Sequence, residues 1–442
     1  MSTTVLAGAA RIGGADPSFA WDGTRLIKPA VWRPGTPPPA DVRGPVAAFQ
    51  FDADGRYRLA RDPLGLHKLF WSATPAGELL VATRPARLVE AGRPFDTIRA
   101  FPRGTVADVD PAAGTVEVRR LGHGTDRPHA TPLEDLAAGI RDGLQRYLAA
   151  IAAAWPRAQV FVCASGGLHS SGIAALAREQ FRDVVAVSFD LRRCGRPGSE
   201  DRRTAQRLAR DLGLLFLEAT VAADDLLDTL DTVLVEGSDW RELHVHAGLV
   251  HAALASVIAD AAPRDRPALV MTGGAAGALL AERRAAPQSP PPGDARPGTP
   301  RAEPRATHVD TLDTANHEVG PFAAWGLPIV RPYAAVADRY LALPDAFLAN
   351  PRRKADLARL VFGGRIPGYV YARSDARARP GDPEADAGVP TLCASRGIDQ
   401  QWLRRRFAQL HRLDPDDGCA LDRFIRHGLY RSGIPTRAAD GD

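Results

Sequence analysis

The residues with the clearest chemical potential form a serine- and glycine-rich run, Ser165–Ser171, which reads SGGLHSS. The apolar stretch Gln159–Cys163 before it predicts a buried strand, and the residues after it predict a helix over 170–182. Two glycines permit a tight backbone path, and loop amides beside a helix N-terminus favour an anion such as a phosphate. The spacing of the glycines excludes a Walker loop and a dinucleotide-binding fingerprint. The alternative to an anion-binding loop is a plain turn between a strand and a helix. The predicted ligand-binding residues are Ser165, Gly166, Gly167, Ser170 and Ser171.

Two side chains in or beside this run could be reactive. A cationic His169 could bind phosphate, sulfate or a carboxylate without a metal, and a neutral one could act as a general base near neutral pH. The alternative is a residue at the start of a helix that faces solvent. Ser165 is a second catalytic candidate, whereas Cys163 at the strand end is typical of a small buried apolar residue.

A second group of candidates lies near a predicted helix over 244–262. His244, His246 and His251 follow Glu242 closely, but the sequence has neither an HExxH pattern nor carboxylates at metal-ligand spacing. We therefore predict no metal site here and expect surface or partly buried histidines.

An alternation of strands and helices must position these residues. From Leu133 to Ile151 the apolar residues recur on one helical face, which predicts a long amphipathic helix. Strands are predicted over 159–163, 183–189, 214–217 and 268–272, with helices between them. This pattern is typical of an α/β fold with a parallel sheet, in which ligands bind beyond the carboxyl ends of the strands.

The flanking regions differ in character. Residues 1–125 predict a small antiparallel β-rich domain, with strands over 46–51, 57–60 and 79–82 and a hairpin over 101–119. A second domain is predicted over 130–435, helical beyond residue 320. Within it, the proline-rich segment 285–308 predicts a mobile loop.

The composition excludes several classes of protein. The 442 residues are 45% hydrophobic and 24% charged, with a net charge of +4, as expected of an ordinary globular protein. Arginines alternate with acids instead of clustering, which argues against nucleic acid as a partner. No long apolar run predicts a membrane span, no signal peptide is evident, and four cysteines without CxxC spacing favour free thiols. We expect a cytoplasmic protein.

The run SGGLHSS resembles the SGGLDSS pyrophosphate loop of the asparagine synthetase superfamily, which includes β-lactam synthetase and the lasso-peptide macrolactam cyclases. Further segments resemble family motifs in the same order: Ala60–Trp71, Gly77–Thr83, Phe101–Gly104, Glu200–Asp201, Leu327–Tyr333 and Lys354–Pro367. The resemblance implies a glutaminase-like, Ntn-type remnant domain over 1–125. It also implies an adenine-nucleotide-hydrolase-like synthetase domain over 130–435.

The departures from the family motifs concern its ATP chemistry. His169 replaces an aspartate that binds magnesium in the family, and Gly277 stands at the second magnesium aspartate, in a stretch that matches SGDGADELF. Gly274 replaces an acidic residue of the same loop, and the family's catalytic lysine falls on Ser374 or Asp375. Because two carboxylate ligands and one cation are lost, the resemblance leaves the cofactor unknown, although ATP and magnesium are what it would imply.

Other implied residues belong to the glutaminase nucleophile, the nucleotide loop and the acceptor substrate. Ser2 stands where the family has its nucleophilic cysteine, so we expect no glutaminase activity. Gly273, the leading glycine of the SGDGADELF-like stretch, is expected to bind the cofactor, and the resemblance places Trp240, Arg241 and Glu242 at the acceptor-substrate cavity, with Glu242 as a catalytic candidate.

Two functions remain open from the sequence. One is an amide- or macrolactam-forming enzyme of specialised peptide metabolism that uses a diverged activation step. The other is a catalytically silent pseudo-synthetase that binds a substrate or a partner protein. The expected partners are a small-molecule or peptide substrate and a protein of the same pathway, without nucleic acid or membrane.

Overall fold

The computed structural model describes residues 4–5, 8–11, 19–122, 132–192, 198–280, 316–343, 345–348, 351–377, 388–414, 434 and 436–437. The proline-rich segment 285–308 and Ser2 therefore lie outside the described residues. Three larger sheets organise the described chain, one of them fully parallel.

Two four-stranded sheets form the N-terminal part. Their strands, together with a terminal strand, are β1 (Thr4–Val5), β2 (Gly8–Arg11), β3 (Ala47–Phe51), β4 (Tyr57–Arg61), β5 (Phe70–Ala73), β6 (Glu78–Ala82), β7 (Arg99–Ala100), β8 (Thr105–Asp110) and β9 (Thr115–Arg120). The sheet orders are β2-β6-β5-β7 and β3-β4-β8-β9, and a short helix, α1 (Pro85–Glu90), follows β6. Apolar residues of both sheets, among them Phe49, Leu59 and Trp71, pack in one cluster, so the sheets face each other. The predicted β-rich region is confirmed.

A parallel five-stranded sheet forms the centre of the second part. Its strands are β10 (Gln159–Cys163), β11 (Val184–Leu191), β12 (Leu215–Val221), β13 (Ala268–Met271) and β14 (Ile329–Val330). The spatial order is β12-β11-β10-β13-β14, with every neighbouring pair parallel. The α/β class and the first four predicted strands are confirmed. The two-residue β14 was missed, because it is too short to show a periodic pattern.

Helices cover both faces of this sheet. Those between Leu133 and Leu279 are α2 (Leu133–Ala154), α3 (Leu168–Gln180), α4 (Glu200–Leu212), α5 (Ala223–Asp228), α6 (Leu230–Gly237), α7 (Glu242–Ala261) and α8 (Ala276–Leu279). The later ones are α9 (Asn316–Ala324), α10 (Ala337–Leu341), α11 (Asp345–Leu348), α12 (Pro351–Phe362), α13 (Gly368–Arg377), α14 (Val389–Ser395) and α15 (Gln400–Leu410). The predicted apolar face of α2 is confirmed, since Leu136, Ile140 and Leu148 are buried.

The N-terminal sheets and the parallel sheet share a core through α2. Phe19, Trp21 and Leu66 belong to the same apolar cluster as the buried face of that helix. The Tyr147 hydroxyl donates to the carbonyl of Phe19 at 3.0 Å, and Arg43 lies 3.2 Å from Asp338. The two parts are therefore joined by packing and by an ion pair as well as by the chain.

Helix α7 is the one helix of the described chain whose length and apolar composition would also suit a membrane span. It packs against α6, α9 and β11, and its residues Leu249, Ala252 and Ile258 are buried. This is the packing of a core helix, which is consistent with a soluble protein.

Candidate functional site

The candidate site lies where the strand order of the parallel sheet reverses. The chain leaves β10 toward β11 on one side, while β13 pairs with the other side of β10, so the loops after β10 and β13 diverge above adjacent strands. Such a switch point is where open α/β sheets bind ligands. A cavity of about 660 Å³ lies there, within the size range of small-molecule sites. Its walls include Ser165, Gly167, His169, Ser170, Asp201, His251, Thr272, Gly273, Gly274, Gly277, His317, Glu318 and Arg331.

The loop Ala164–Gly167, with the first turn of α3, forms one wall and is called the serine loop below. The Gly167 amide donates to Ser165 Oγ at 3.3 Å, and Ser170 Oγ donates to the Gly167 carbonyl at 3.2 Å. No side chain caps the N-terminus of α3, so its first-turn amides are not satisfied by a capping residue. The geometry suits a bound anion, as predicted, and Ser165, Gly167 and Ser170 line the cavity.

Two of the predicted loop residues do not line the cavity. Gly166 turns the chain at φ +69°, and a Cβ there would lie 2.6 Å from Thr204. Its contribution is therefore the shape of the loop. Ser171 is fully buried on α3, and its hydroxyl has no hydrogen-bond partner among the described residues. The structure gives no support to ligand binding by Ser171, because α3 begins at Leu168 and its turn carries this residue into the core.

The loop after β13 approaches the serine loop at Gly273. A Cβ at this position would lie 2.9 Å from the Ser170 amide nitrogen, so only glycine leaves that amide uncovered. Gly277 also lines the cavity, and no atom lies within 4 Å of where its Cβ would be. At Gly273 the backbone of this loop therefore lies close to the serine loop, the wall that suits an anion and is called the anion wall below. At Gly277 the space beside the backbone is open.

A buried ion pair forms the wall beyond this loop. Arg331 Nε lies 2.7 Å from Glu318 Oε2, and the Thr272 hydroxyl donates to the other carboxylate oxygen of Glu318. Both charged side chains are buried, at 5% and 1% exposure. Burial raises the pKa of Glu318, but Arg331, nearby histidines and Thr272 outweigh it, so the net pKa is lowered and the carboxylate is ionised.

This carboxylate takes the space beside Gly274. A Cβ at Gly274 would lie 2.2 Å from Glu318 Oε1, which no side chain could tolerate. Glu318, which follows Gly274 by more than forty positions in the chain, therefore leaves room only for a glycine there.

Two imidazoles line the same cavity, stacked with their ring centroids 5.9 Å apart. His251 Nδ1 lies 3.0 Å from the His317 carbonyl oxygen, which can only accept, so Nδ1 carries the proton and Nε2 has the lone pair. Burial lowers the pKa of both rings, that of His317 to about 3, and both are neutral at pH 7. His317 Nδ1 is buried without a hydrogen-bond partner among the described residues.

His169 lies in the first turn of α3 and lines the cavity, half-buried, with its ring edge-on to Tyr333. Burial lowers its pKa to about 4. With this pKa the ring is neutral at pH 7, so the cationic reading of His169 stays a prediction that requires a bound anion to raise the pKa. The reading as a neutral base stays a prediction.

Arg373 closes the outer side of the serine loop. Its Nε donates to Glu200 at 3.1 Å, its Nη2 pairs with Asp201, and its Nη1 donates to the Ser165 carbonyl at 3.1 Å. The guanidinium is thereby committed to two carboxylates and to the loop backbone. It holds the loop in place.

Glu242 and its neighbours are not at this cavity. The Glu242 amide donates to Gln400 at 3.0 Å, and the residue is absent from the cavity walls. Trp240 is buried against Phe407, with ring centroids 5.0 Å apart. Glu242 and Trp240 do not line this cavity, since residues of α15 contact the start of α7, and their placement beside an acceptor cavity stays a prediction.

Cys163 lies at the strand end as predicted, but it is half-buried instead of fully buried. It lines the cavity, and burial together with the Glu318 carboxylate raises the pKa of its thiol. The thiol stays protonated at neutral pH and is a poor nucleophile.

A known protein family matches the central segment of the chain. Residues 149–257, from the end of α2 to α7, match the family model described as asparagine synthase. This segment of the chain is similar to the asparagine synthase family. The match supports a synthetase-type protein and includes the serine loop. A comparison with curated proteins gave no match.

Solved structures similar to this chain include a glutamine-dependent NAD+ synthetase from Acinetobacter baumannii, with 16% identity and a TM-score of 0.31 over 76% of this chain. Our chain spans about half of that protein's length, 52%. An NH3-dependent NAD synthetase from Campylobacter jejuni (12% identity, TM-score 0.27) aligns with 61% of this chain and 96% of its own. An NMN synthetase from Francisella tularensis (12%, 0.25) aligns with 60% and 94%. At such scores these likenesses have no bearing on activity.

The described residues of this cavity do not fit magnesium. Among the described residues, no group of three or more histidine, cysteine or acidic side chains could hold a metal ion. His169 is a poor ligand for a hard cation, and the carboxylates of Glu318 and Asp201 are paired with Arg331 and Arg373. The serine loop suits a phosphate, but neither carboxylate among the described residues of the cavity wall is free to bring magnesium to it.

Sequence reasoning missed the pairing of Glu318 with Arg331, and His317 beside it. The segment 281–315 separates these α9 residues from the loop after β13 along the chain. Nothing in the sequence reveals that the two lie close together in space. A useful signal was present, since Arg331 occupies the segment that resembles a family motif.

Proposed function

We propose that this protein forms an amide or macrolactam bond in specialised peptide metabolism, by a route that has diverged from magnesium-dependent adenylation. The observation that supports it most is the open switch-point cavity, whose serine loop suits an anion and whose described residues include no set of carboxylates that could hold magnesium. The asparagine synthase match over 149–257 supports a C–N bond-forming lineage. Glutaminase activity is not part of the proposal.

The chain's own residues would perform three tasks. The α3 amides and the serine-loop hydroxyls hold an anionic or carbonyl oxygen of the substrate. His251, neutral and with its Nε2 lone pair available, accepts a proton from an amine that attacks an activated acyl carbon of the substrate, and the bond to the acyl leaving group breaks as the C–N bond forms. Arg373 keeps the loop in position through Asp201 and the Ser165 carbonyl.

The test compares ligands by thermal unfolding. Ligand binding to the native state raises the melting temperature, so inorganic pyrophosphate is expected to stabilise the protein without magnesium, and magnesium is expected to add nothing to the effect of ATP. The His169→Asp/Gly277→Asp variant, which restores both carboxylates, is expected to gain magnesium-dependent stabilisation by ATP. Magnesium-dependent ATP binding by the unaltered protein would contradict the proposal.

A second candidate function is a pseudo-synthetase that binds a substrate or a partner protein. It is favoured by the pairing of Glu318 with Arg331 and of Asp201 with Arg373, which neutralises the charge of both guanidinium groups. The neighbouring genes separate the two functions, because a precursor peptide and a protease beside this gene favour macrolactam formation. Loss of 18 Da from that peptide on incubation establishes it, and tight binding of an unchanged peptide supports the second function.

A further inference from the structure

The guanidinium of Arg331 has hydrogen-bonding capacity that the protein does not use. The residue is 1% exposed and lines the cavity, and Nη1 has no hydrogen-bond partner among the described residues. A buried donor left unsatisfied is costly, so native proteins seldom keep one without a purpose. His317 Nδ1, on the neighbouring wall, is unpartnered in the same way.

These two groups lie apart from the serine loop. Arg331 follows β14 and His317 opens α9, whereas the serine loop follows β10, and the loop after β13 runs between them. The cavity therefore has two polar walls, each formed by a different strand end.

We propose that Arg331, with the imidazole of His317 beside it, forms an anion subsite that takes a carboxylate of the substrate. The inference deepens the proposed function, since it assumes that the same cavity holds the substrate. A guanidinium presents its N–H groups as a planar fork that matches a planar carboxylate.

The charges nearby favour a singly charged group. The ionised Glu318 carboxylate lies 2.7 Å from Arg331, so the pair is neutral overall, and His251 and His317 add no positive charge at pH 7. A doubly charged phosphate would meet the repulsion of Glu318 with only one cation to offset it. A carboxylate meets half of that repulsion and keeps the fork geometry.

The experiment separates the two walls with simple probes. Benzoate and acetate test the Arg331 subsite and inorganic phosphate tests the serine loop, each titrated into the full chain at pH 7 against chloride of equal ionic strength. The Arg331→Met/Glu318→Gln variant removes both charges of the pair. It is expected to weaken benzoate binding about tenfold, the loss typical of a charged hydrogen bond, and to leave phosphate binding unchanged.

Two control variants complete the design. Ser165→Ala is expected to weaken phosphate binding only. Arg84→Met/Glu236→Gln removes a second partly buried pair, 3.2 Å apart, at a different cavity, and is expected to change neither ligand. Benzoate binding without phosphate binding by the unaltered protein, or phosphate binding that Ser165→Ala does not weaken, would contradict the anion role of the serine loop while supporting the subsite.

Other outcomes overturn the subsite. The first is that the unaltered protein binds neither benzoate nor acetate. The second is that the Arg331→Met/Glu318→Gln variant binds benzoate with unchanged affinity. The third is that this variant loses phosphate binding. Should that variant fail to fold, Arg331→Lys decides the question, since it keeps the charge beside Glu318 and loses the fork. It is expected to weaken benzoate binding several-fold, and unchanged binding would reject the proposal.

Discussion

The lack of space beside Gly274 predicts how much stability the substitution Gly274→Ala would cost. In Gly274→Ala the new Cβ would be placed 2.2 Å from Glu318 Oε1, so the carboxylate must move by about 1 Å to reach ordinary contact distance. That movement disturbs the 2.7 Å contact with Arg331 and the hydrogen bond from Thr272. Overpacking typically costs about 1–3 kcal/mol and breaking a buried pair about 3–5 kcal/mol, so we expect a loss of about 3 kcal/mol in unfolding free energy.

The control is three residues away in the same loop. Gly277 has no atom within 4 Å of its Cβ position and lies within α8, so Gly277→Ala is expected to leave stability unchanged or slightly raised. Urea unfolding of both variants, followed by circular dichroism and by tryptophan fluorescence, measures the difference.

A double-mutant cycle tests the cause. If the Glu318 carboxylate is the obstacle, Gly274→Ala should cost less than about 1 kcal/mol in a Glu318→Ala background, with a coupling energy of about 2 kcal/mol. Equal costs in both backgrounds, or a Gly274→Ala variant as stable as Gly277→Ala, would refute the reasoning.

Two further predictions concern titratable groups of the cavity. The pKa of His317 is about 3 in the folded protein, below its value in the unfolded chain, so the unfolded chain binds more protons between these two pH values. The free energy of unfolding should therefore fall as the pH drops from about 6.5 toward 4. His317→Asn should flatten this slope in urea titrations at several pH values. Cys163, whose raised thiol pKa keeps it protonated, should resist iodoacetamide at pH 8 in the native protein and react once it is unfolded, as peptide mapping would reveal. Rapid native alkylation would contradict the raised pKa of the thiol.

The sheet and the serine loop could be predicted from local sequence. Strand β10 is a short apolar run before two glycines, and the α2 face repeats at helical spacing, so neighbouring residues determine both. Such patterns also placed the loop at a carboxyl end of the sheet, where ligands bind.

The second wall and the burial of Trp240 could not be predicted in this way. Glu318 meets Gly274 across a segment without periodic pattern, and Trp240 is covered by Phe407 of α15, far along the chain. Both depend on which distant elements pack together, and no local preference records that. The state of His169 also follows from packing, since its low pKa is an effect of burial.

The joint core of the N-terminal sheets and α2 has a consequence for motion. With Trp21 and Leu66 packed in the same cluster as Ile140 and Leu144, a rigid-body hinge between the two parts would have to separate apolar surfaces that belong together. Opening and closing of the cavity therefore falls to loops at its rim. Ligand exchange should proceed at the rates of loop rearrangement, with the relative orientation of the two parts preserved throughout.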